Sequence, residues 1–282
     1  MRFLSISLIC FFVTFSSLVF GEQQETLIFG VHPFKNPRQI YKMFRPLTNA
    51  ISQQTGKEVK IVIGKSYEDI IDQHQQGKVD FGYFGPASYV NARAKTNIIP
   101  LTRIKMKGRG AFRGVIVVKK DSPITGLHQL KGKTFAFGDP ESTLSHYVPH
   151  YQLMKAGVMV SDLKDYIFTG THDNVALNVI HGVADAGGLK PAVAKQYLNR
   201  GLRILDKSEW IPEHLFAANG ALASENIHLL KNVLLEMDLI VLKSIKSSIT
   251  GMETASDRDY DGLRKIIIEV NSNDPIATSI KQ

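Results

Sequence analysis

Between Thr26 and Phe84 the chain alternates short apolar runs with amphipathic stretches, and this alternation limits the possible folds more than any other feature. TLIFGV (26–31) is a strand pattern that stops at His32-Pro33. Ile40, Met43, Phe44, Leu47, Ala50 and Ile51 then form one helical face before Gly56. VKIVI (59–63) reads as a second strand, 67–76 as a second helix closed by Gly77, and VDFGYF (79–84) as a third strand. Strand, helix, strand, helix, strand in such close succession predicts a parallel sheet with right-handed crossovers. Ligands of such sheets sit at the carboxyl ends of the strands. Those ends carry His32 and the turn Gly85-Pro86-Ala87-Ser88-Tyr89. His32 is either a strand-end residue facing water or a ligand contact, and Tyr89 either a core tyrosine or a ligand contact.

A second set of elements begins at VIVVK (115–119), after a Lys/Arg/Gly-rich segment (105–114) that reads as a crossover between lobes. Its centre is FAFGDPESTLSHYVPHYQL (135–153). An apolar strand stops at Gly138-Asp139-Pro140, and Ser142, Thr143 and Ser145 follow where a helix begins. A strand, a tight turn and a helix start rich in hydroxyls form an anion cradle, because free amide hydrogens and the positive end of the helix dipole face one point. The simpler reading is that Ser142 or Thr143 only caps the helix. Further on, a strand at 165–168 leads to Thr169-Gly170-Thr171-His172-Asp173, with a helix expected over 174–180. A short strand at 184–188 runs into Leu189 and Lys190, followed by a helix through Tyr197. GLRIL (201–205) reads as a strand returning to the first lobe. An extended segment near 217–223, one helix over 227–242 and a last helix over 260–270 complete the pattern.

Residues 1–21 carry one positive charge, an apolar run from Phe3 to Phe20, and a Val19/Gly21 pair suited to cleavage, as in an export signal; an uncleaved anchor remains the alternative. Cys10, the only cysteine, lies inside that segment, so disulfides and thiol chemistry are not expected of the processed chain. The net charge of +8 suits anionic partners, but the basic residues are scattered without an aromatic ladder, which argues against nucleic acid. No zinc spacing, phosphate-binding lysine loop or dinucleotide fingerprint is present, and no cofactor or metal is expected. The nearest catalytic set, Ser142 with His172 and Asp173, has no nucleophile elbow, and its adjacent His and Asp cannot readily orient one another. Binding without chemistry fits better than hydrolysis.

The stretches GVHPFKNPRQIYKMFRPLTNAISQQTG, GKVDFGYFGPASYVNA, FRGVIVVKKDSPITGLHQLKGKTFAFGDPEST and GTHDNVALNVIHGVADAG resemble the substrate-binding proteins of phosphate, phosphite and phosphonate ABC importers, within the type II periplasmic binding protein superfamily. The resemblance covers nearly all of the processed chain. It implies an α/β protein of two lobes, each a mixed sheet flanked by helices, joined by two crossovers and closing on its ligand by hinge motion. The lobes are expected at 22–108 with 203–282, and at 109–202. The resemblance also implies a periplasmic, non-enzymatic monomer that binds a small anion and works with an inner-membrane permease. A sensory module reporting to a membrane kinase or cyclase is the alternative.

By the same resemblance Ser142 and Thr143 hold the oxyanion, Tyr89 falls on the family tyrosine of the Gly-Pro-x-x-Tyr turn, and His172 on the family histidine. Ser145, His32, Lys190 and Asp173 complete the expected site. The family turn usually reads Ser-Thr-Ser-Gly, whereas this chain has Ser142-Thr143-Leu144-Ser145, so Leu144 is expected to remove a ligand contact. Lys190 stands where, by the resemblance, many relatives carry an acid, which favours a more fully charged anion or another ligand altogether.

Overall fold

The structure, a computed structural model, describes residues 25–276; the expected export signal and Cys10 lie outside the described residues. The first lobe opens with Thr26–Val31 (β1), Pro37–Thr55 (α1), Glu58–Ile63 (β2), Tyr67–Gln75 (α2), Phe81–Phe84 (β3), Pro86–Lys95 (α3) and Ile98–Met106 (β4). Helix α1 starts where Asn36 accepts a hydrogen bond from the Gln39 amide, and ends where Gly56 takes the left-handed conformation. It buries Ile40, Phe44, Leu47 and Ile51, on the face that the periodicity marked.

The chain crosses over through Ala111–Phe112 (β5) and builds the second lobe from Val115–Lys119 (β6), Thr134–Phe137 (β7), Val148–Lys155 (α4), Asp165–Phe168 (β8), His172–Ile180 (α5), Ala186–Leu189 (β9), Pro191–Tyr197 (α6) and Leu202–Lys207 (β10). It returns through Ile211–Pro212 (β11). Leu215–Asn219 (β12), Ser224–Leu235 (α7), Leu239–Ile245 (α8), Ile249–Thr254 (β13) and Asp261–Asn273 (α9) follow.

The first sheet has the order β13-β4-β12-β3-β1-β2, with β1 parallel to both β2 and β3 and the later strands antiparallel. The second has the order β10-β6-β9-β7-β8, in which β7 is parallel to β8 and β9. Each lobe is thus the expected mixed sheet with a parallel trio, and β5 and β11 pair antiparallel as the hinge ribbon.

One expectation is corrected here. The strand at 201–205 does not return to the first lobe: β10 pairs antiparallel with β6, and the chain crosses back only after Lys207. Its apolar alternation suits an edge of either sheet, and the long-range partner decides.

Helices α1, α7 and α8 cover one face of the first sheet around Phe29, Phe44 and Phe216. The cluster on the other face is shared between the lobes: Phe84, Tyr89, Tyr260 and Leu263 pack in it together with Leu144, Tyr147 and Val148 of the second lobe. Shared burial of this kind sets how the lobes sit against each other.

Candidate functional site

The segments that follow strand β3 of the first lobe and β7 of the second meet across the lobes at Ala87 and Thr143. β7 ends at Gly138, whose amide donates to the Ser145 carbonyl at 2.8 Å, and a Cβ at Gly138 would lie 2.1 Å from Ser145 Oγ. Only glycine allows this close approach. Ser142 Oγ accepts from the Ser145 amide at 3.3 Å, and the Ser142 carbonyl accepts from the amides of His146 and Tyr147 at 3.1 and 3.2 Å. The widened turn is a single π-helical turn (Thr143–Tyr147) leading into α4. Such turns recur at functional sites, and here the widening sets the angle at which Thr143 leaves the cradle.

Thr143 Oγ1 crosses the cleft and accepts from the Ala87 amide at 2.9 Å. Ala87 lies in the first turn of α3, whose N-terminus has no side-chain cap, so helix starts from both lobes meet at one contact. Next to it Ser88 is buried at 3% exposure, and its Oγ has no hydrogen-bond partner. The acids of the turn are held aside. Asp139 Oδ1 accepts from the Glu141 amide at 2.8 Å, and Asn91 donates to both Glu141 and the Tyr147 hydroxyl. Burial raises the Asp139 carboxyl to about 6.

Imidazoles line the rest. His32, just after β1, packs at a tilt on Tyr67 with ring centres 4.1 Å and planes 40° apart, and its buried Nδ1 has no partner. Burial first, then the neighbouring His214, lowers it to about 3. His172 begins α5 after the cap Thr171, its Nδ1 is likewise buried and unpaired, and burial with the charge of Lys190 lowers it to about 3. Both rings are neutral at physiological pH. Lys190, between β9 and α6, is lowered to about 8 by burial and by Lys246 and Lys35, against the opposing charges of Asp173 and Glu213.

The structure therefore gathers Ser142, Thr143 and Ser145 in one turn against Ala87, and sets His32 and His172 each within reach of the Lys190 charge. Tyr89 is a correction. Its ring is fully buried against Tyr260, with centres 4.8 Å apart, and its hydroxyl donates to Asp257 Oδ1 at 2.8 Å, away from the cleft. One residue along α3 turns the side chain by about 100°, so when Ser88 lies by the cleft Tyr89 enters the core. Asp173 is exposed and accepts from the Tyr197 hydroxyl at 3.1 Å; it acts on the site through its charge on Lys190. Leu144 has another role than a lost ligand contact: it is buried in the shared cluster, and a Cβ at Gly114 of the first crossover would lie 3.3 Å from its Cδ2.

Sequence reasoning missed Tyr67, Tyr83, Glu213 and His214. His214 stacks on Tyr83 with centres 5.4 Å apart and planes 17° apart, and its Nδ1 lies 3.0 Å from Glu213 Oε2. Both crossover residues follow Ile211-Pro212, and their signal was a charged pair beside a proline in a segment otherwise apolar. Among the described residues no group of three or more His, Cys, Asp or Glu could hold a metal ion, and no helix is long and apolar enough to cross a membrane.

The model of a family described as ABC transporter, phosphonate, periplasmic substrate-binding protein matches residues 29–260. The chain belongs to this family. It is 30% identical over 274 residues to the phosphate-import protein PhnD of Mycolicibacterium smegmatis, covering 86% of this chain and 85% of that protein. It is also 30% identical over 258 residues to a probable ABC transporter phosphite binding protein of Prochlorococcus marinus, covering 85% and 86%. A solved structure from Prochlorococcus marinus in complex with methylphosphonate matches at a TM-score of 0.78 and 26% identity, over 89% of this chain and 99% of that one. The fold is that of a type II periplasmic binding protein, and the family supplies the substrate-binding components of ABC importers.

Proposed function

We propose that this chain captures a small phosphorus oxyanion between its lobes in the periplasm, having been exported through residues 1–21, and delivers it as a monomer to an ABC permease without chemical turnover. The observation that carries this reading is the meeting of two helix starts from opposite lobes at Thr143 Oγ1 and the Ala87 amide. Lys190 and the unpaired nitrogens of His32 and His172 lie at the neighbouring strand ends. Amide hydrogens, hydroxyls and an ammonium favour negative charge, and nothing in the set activates a nucleophile. The relatives named above are described with phosphate, phosphite and methylphosphonate, all phosphorus oxyanions. They favour import over signalling to a membrane kinase or cyclase.

The test is isothermal titration of the processed protein with phosphate, phosphite, methylphosphonate and aminoethylphosphonate. Saturable heat with at least one of them is expected. Silence from all four ends the assignment.

A further inference from the structure

Glu213 and His214 lie in the second crossover, between β11 of the hinge ribbon and β12 of the first lobe. Glu213 is 1% exposed, and its Oε2 takes the Nδ1 hydrogen of His214, fixing which edge of the ring is left for other contacts. The ring is clamped flat on Tyr83 and edge-on to Phe112. Its Nε2 lies 3.9 Å from the point a Cβ on Gly85 would occupy, and the buried, unpartnered Ser88 Oγ lies 3.7 Å from the same point. Tyr83 lies on β3 opposite Val31 of β1, so the His214 ring stands at the strand ends of the first lobe, near the residue that leads into His32.

A tetrahedral phosphorus ligand held by the Ser142–Thr143 turn and Lys190, all of the second lobe, would leave a substituent toward the first lobe, where Ser88 and His214 stand. Resting on the phosphorus reading above, the geometry points to His214 and Ser88 as the residues that read this substituent, with Glu213 positioning His214. The substituent they select is oxygen. A methyl group or a hydrogen there would bury the Ser88 hydroxyl and the imidazole edge without partners, whereas a fourth oxygen can donate or accept with both. A buried polar pocket rejects a ligand lacking the matching group more strongly than an apolar pocket rejects an added one. The preferred ligand class is therefore a tetraoxo phosphorus anion, free or as a small monoester, over phosphorus bearing hydrogen or carbon.

The test compares binding constants for phosphate, methyl phosphate, phosphite and methylphosphonate at about pH 8, each expressed per dianion because methylphosphonate is the least ionised of them, so that the fourth substituent is the main difference. Phosphate or methyl phosphate is expected to bind at least about tenfold tighter than phosphite and methylphosphonate, and which of the two leads tells free anion from ester. In Ser88→Ala and in His214→Phe, which keeps the ring contacts, this preference should shrink to within about threefold; thermal unfolding of Ser88→Ala stays near that of the parent, whereas His214→Phe, which strips the buried Glu213 carboxylate of its imidazole partner, unfolds at lower temperature but still binds. Glu213→Gln should lower the preference in the parent and leave it unmoved in the His214→Phe background, a coupling that a merely structural role would not give. Equal binding of methylphosphonate and phosphate by the parent protein, or a preference untouched by Ser88→Ala and His214→Phe, overturns the inference and leaves the phosphorus reading standing. Silence from all the ligands overturns both.

Discussion

Lys190 is pulled in opposite directions by folding and by binding, and pH separates the two. Its ammonium is lowered from the ordinary 10.5 to about 8, chiefly by burial and then by Lys246 and Lys35. Between about 8 and 10.5 the unfolded chain therefore holds a proton at this residue that the folded chain has released. Stability of the ligand-free protein from this source rises with pH across that window, and the cost of the buried charge is fully present below it. Binding runs the other way, because an oxyanion needs the ammonium. We expect affinity to fall as pH rises through about 8, and Lys190→Met to remove both slopes; titration calorimetry and thermal unfolding at pH 7, 8, 9 and 10 measure them. Thr143→Ala should weaken binding by about 1 to 3 kcal/mol in the same calorimeter, since it strips a hydroxyl from the cradle and frees the Ala87 amide. Tyr89→Phe should leave affinity unchanged and lower stability by about 1 kcal/mol, because only the bond to Asp257 is lost. The strand-end polar residues His32, Ser142, Thr143, His172 and Lys190 were legible because a parallel sheet gathers its carboxyl ends. Tyr89 was not, since a one-residue phase along α3 is fixed by the Tyr260 ring, 171 residues further along the chain.

At the scale of elements, the π turn is where the ligand cradle and the hinge share one piece of chain. Thr143 faces the Ala87 amide, while Leu144, the next residue, is buried at 2% exposure in the cluster that spans both lobes. A hydroxyl at this step would place a polar group against Val148 and Gly114, so Leu144 serves the packing between the lobes. We expect Leu144→Ala to cost about 2 to 5 kcal/mol in denaturant unfolding, the range for a buried leucine whose surroundings relax only in part. Leu144→Ser should cost more than Leu144→Ala, through its buried hydroxyl. The βα units 26–84 were readable because local periodicity and a glycine stop at each helix end agree with the final fold. The strands β4 and β13 escaped notice, since Ile98–Met106 and Ile249–Thr254 mix basic and polar residues into their apolar faces and are held by pairing with each other and with β12. The helix expected over 227–242 is two helices, α7 and α8, because Asp238 accepts from the Ile240 amide and starts a new turn.

Across the whole molecule the two crossovers are reinforced by a third tie. Helix α9 belongs to the first lobe by sequence position, yet it packs on α3 of that lobe and also on α4 and the π turn of the second. Just past its end Asp274, 7% exposed, accepts from the Val160 amide at 2.7 Å and pairs with the fully buried His150 at 2.9 Å, and Ile276 packs against the second lobe's outer core. Residues 261–276 therefore strap the first lobe to the second. A hinge that opens must either carry α9 with the second lobe or break these contacts, and both raise the free energy of the open state relative to a protein with only the two-stranded ribbon. Asp274→Ala removes the carboxylate from the Val160 amide and leaves the His150 ring without its partner, while the ribbon and the cradle stay intact. The radius of gyration of the ligand-free protein in solution scattering is expected to increase in this variant and to return to the parent value at saturating ligand. The apparent affinity should fall by the same factor as the closed population, because a ligand that binds only the closed form is weakened by the fraction that is open. An Asp274→Ala protein that scatters like the parent without ligand would place the resistance to opening in the shared cluster around Leu144 and Tyr147, and the strap would then be a stabiliser of the fold alone.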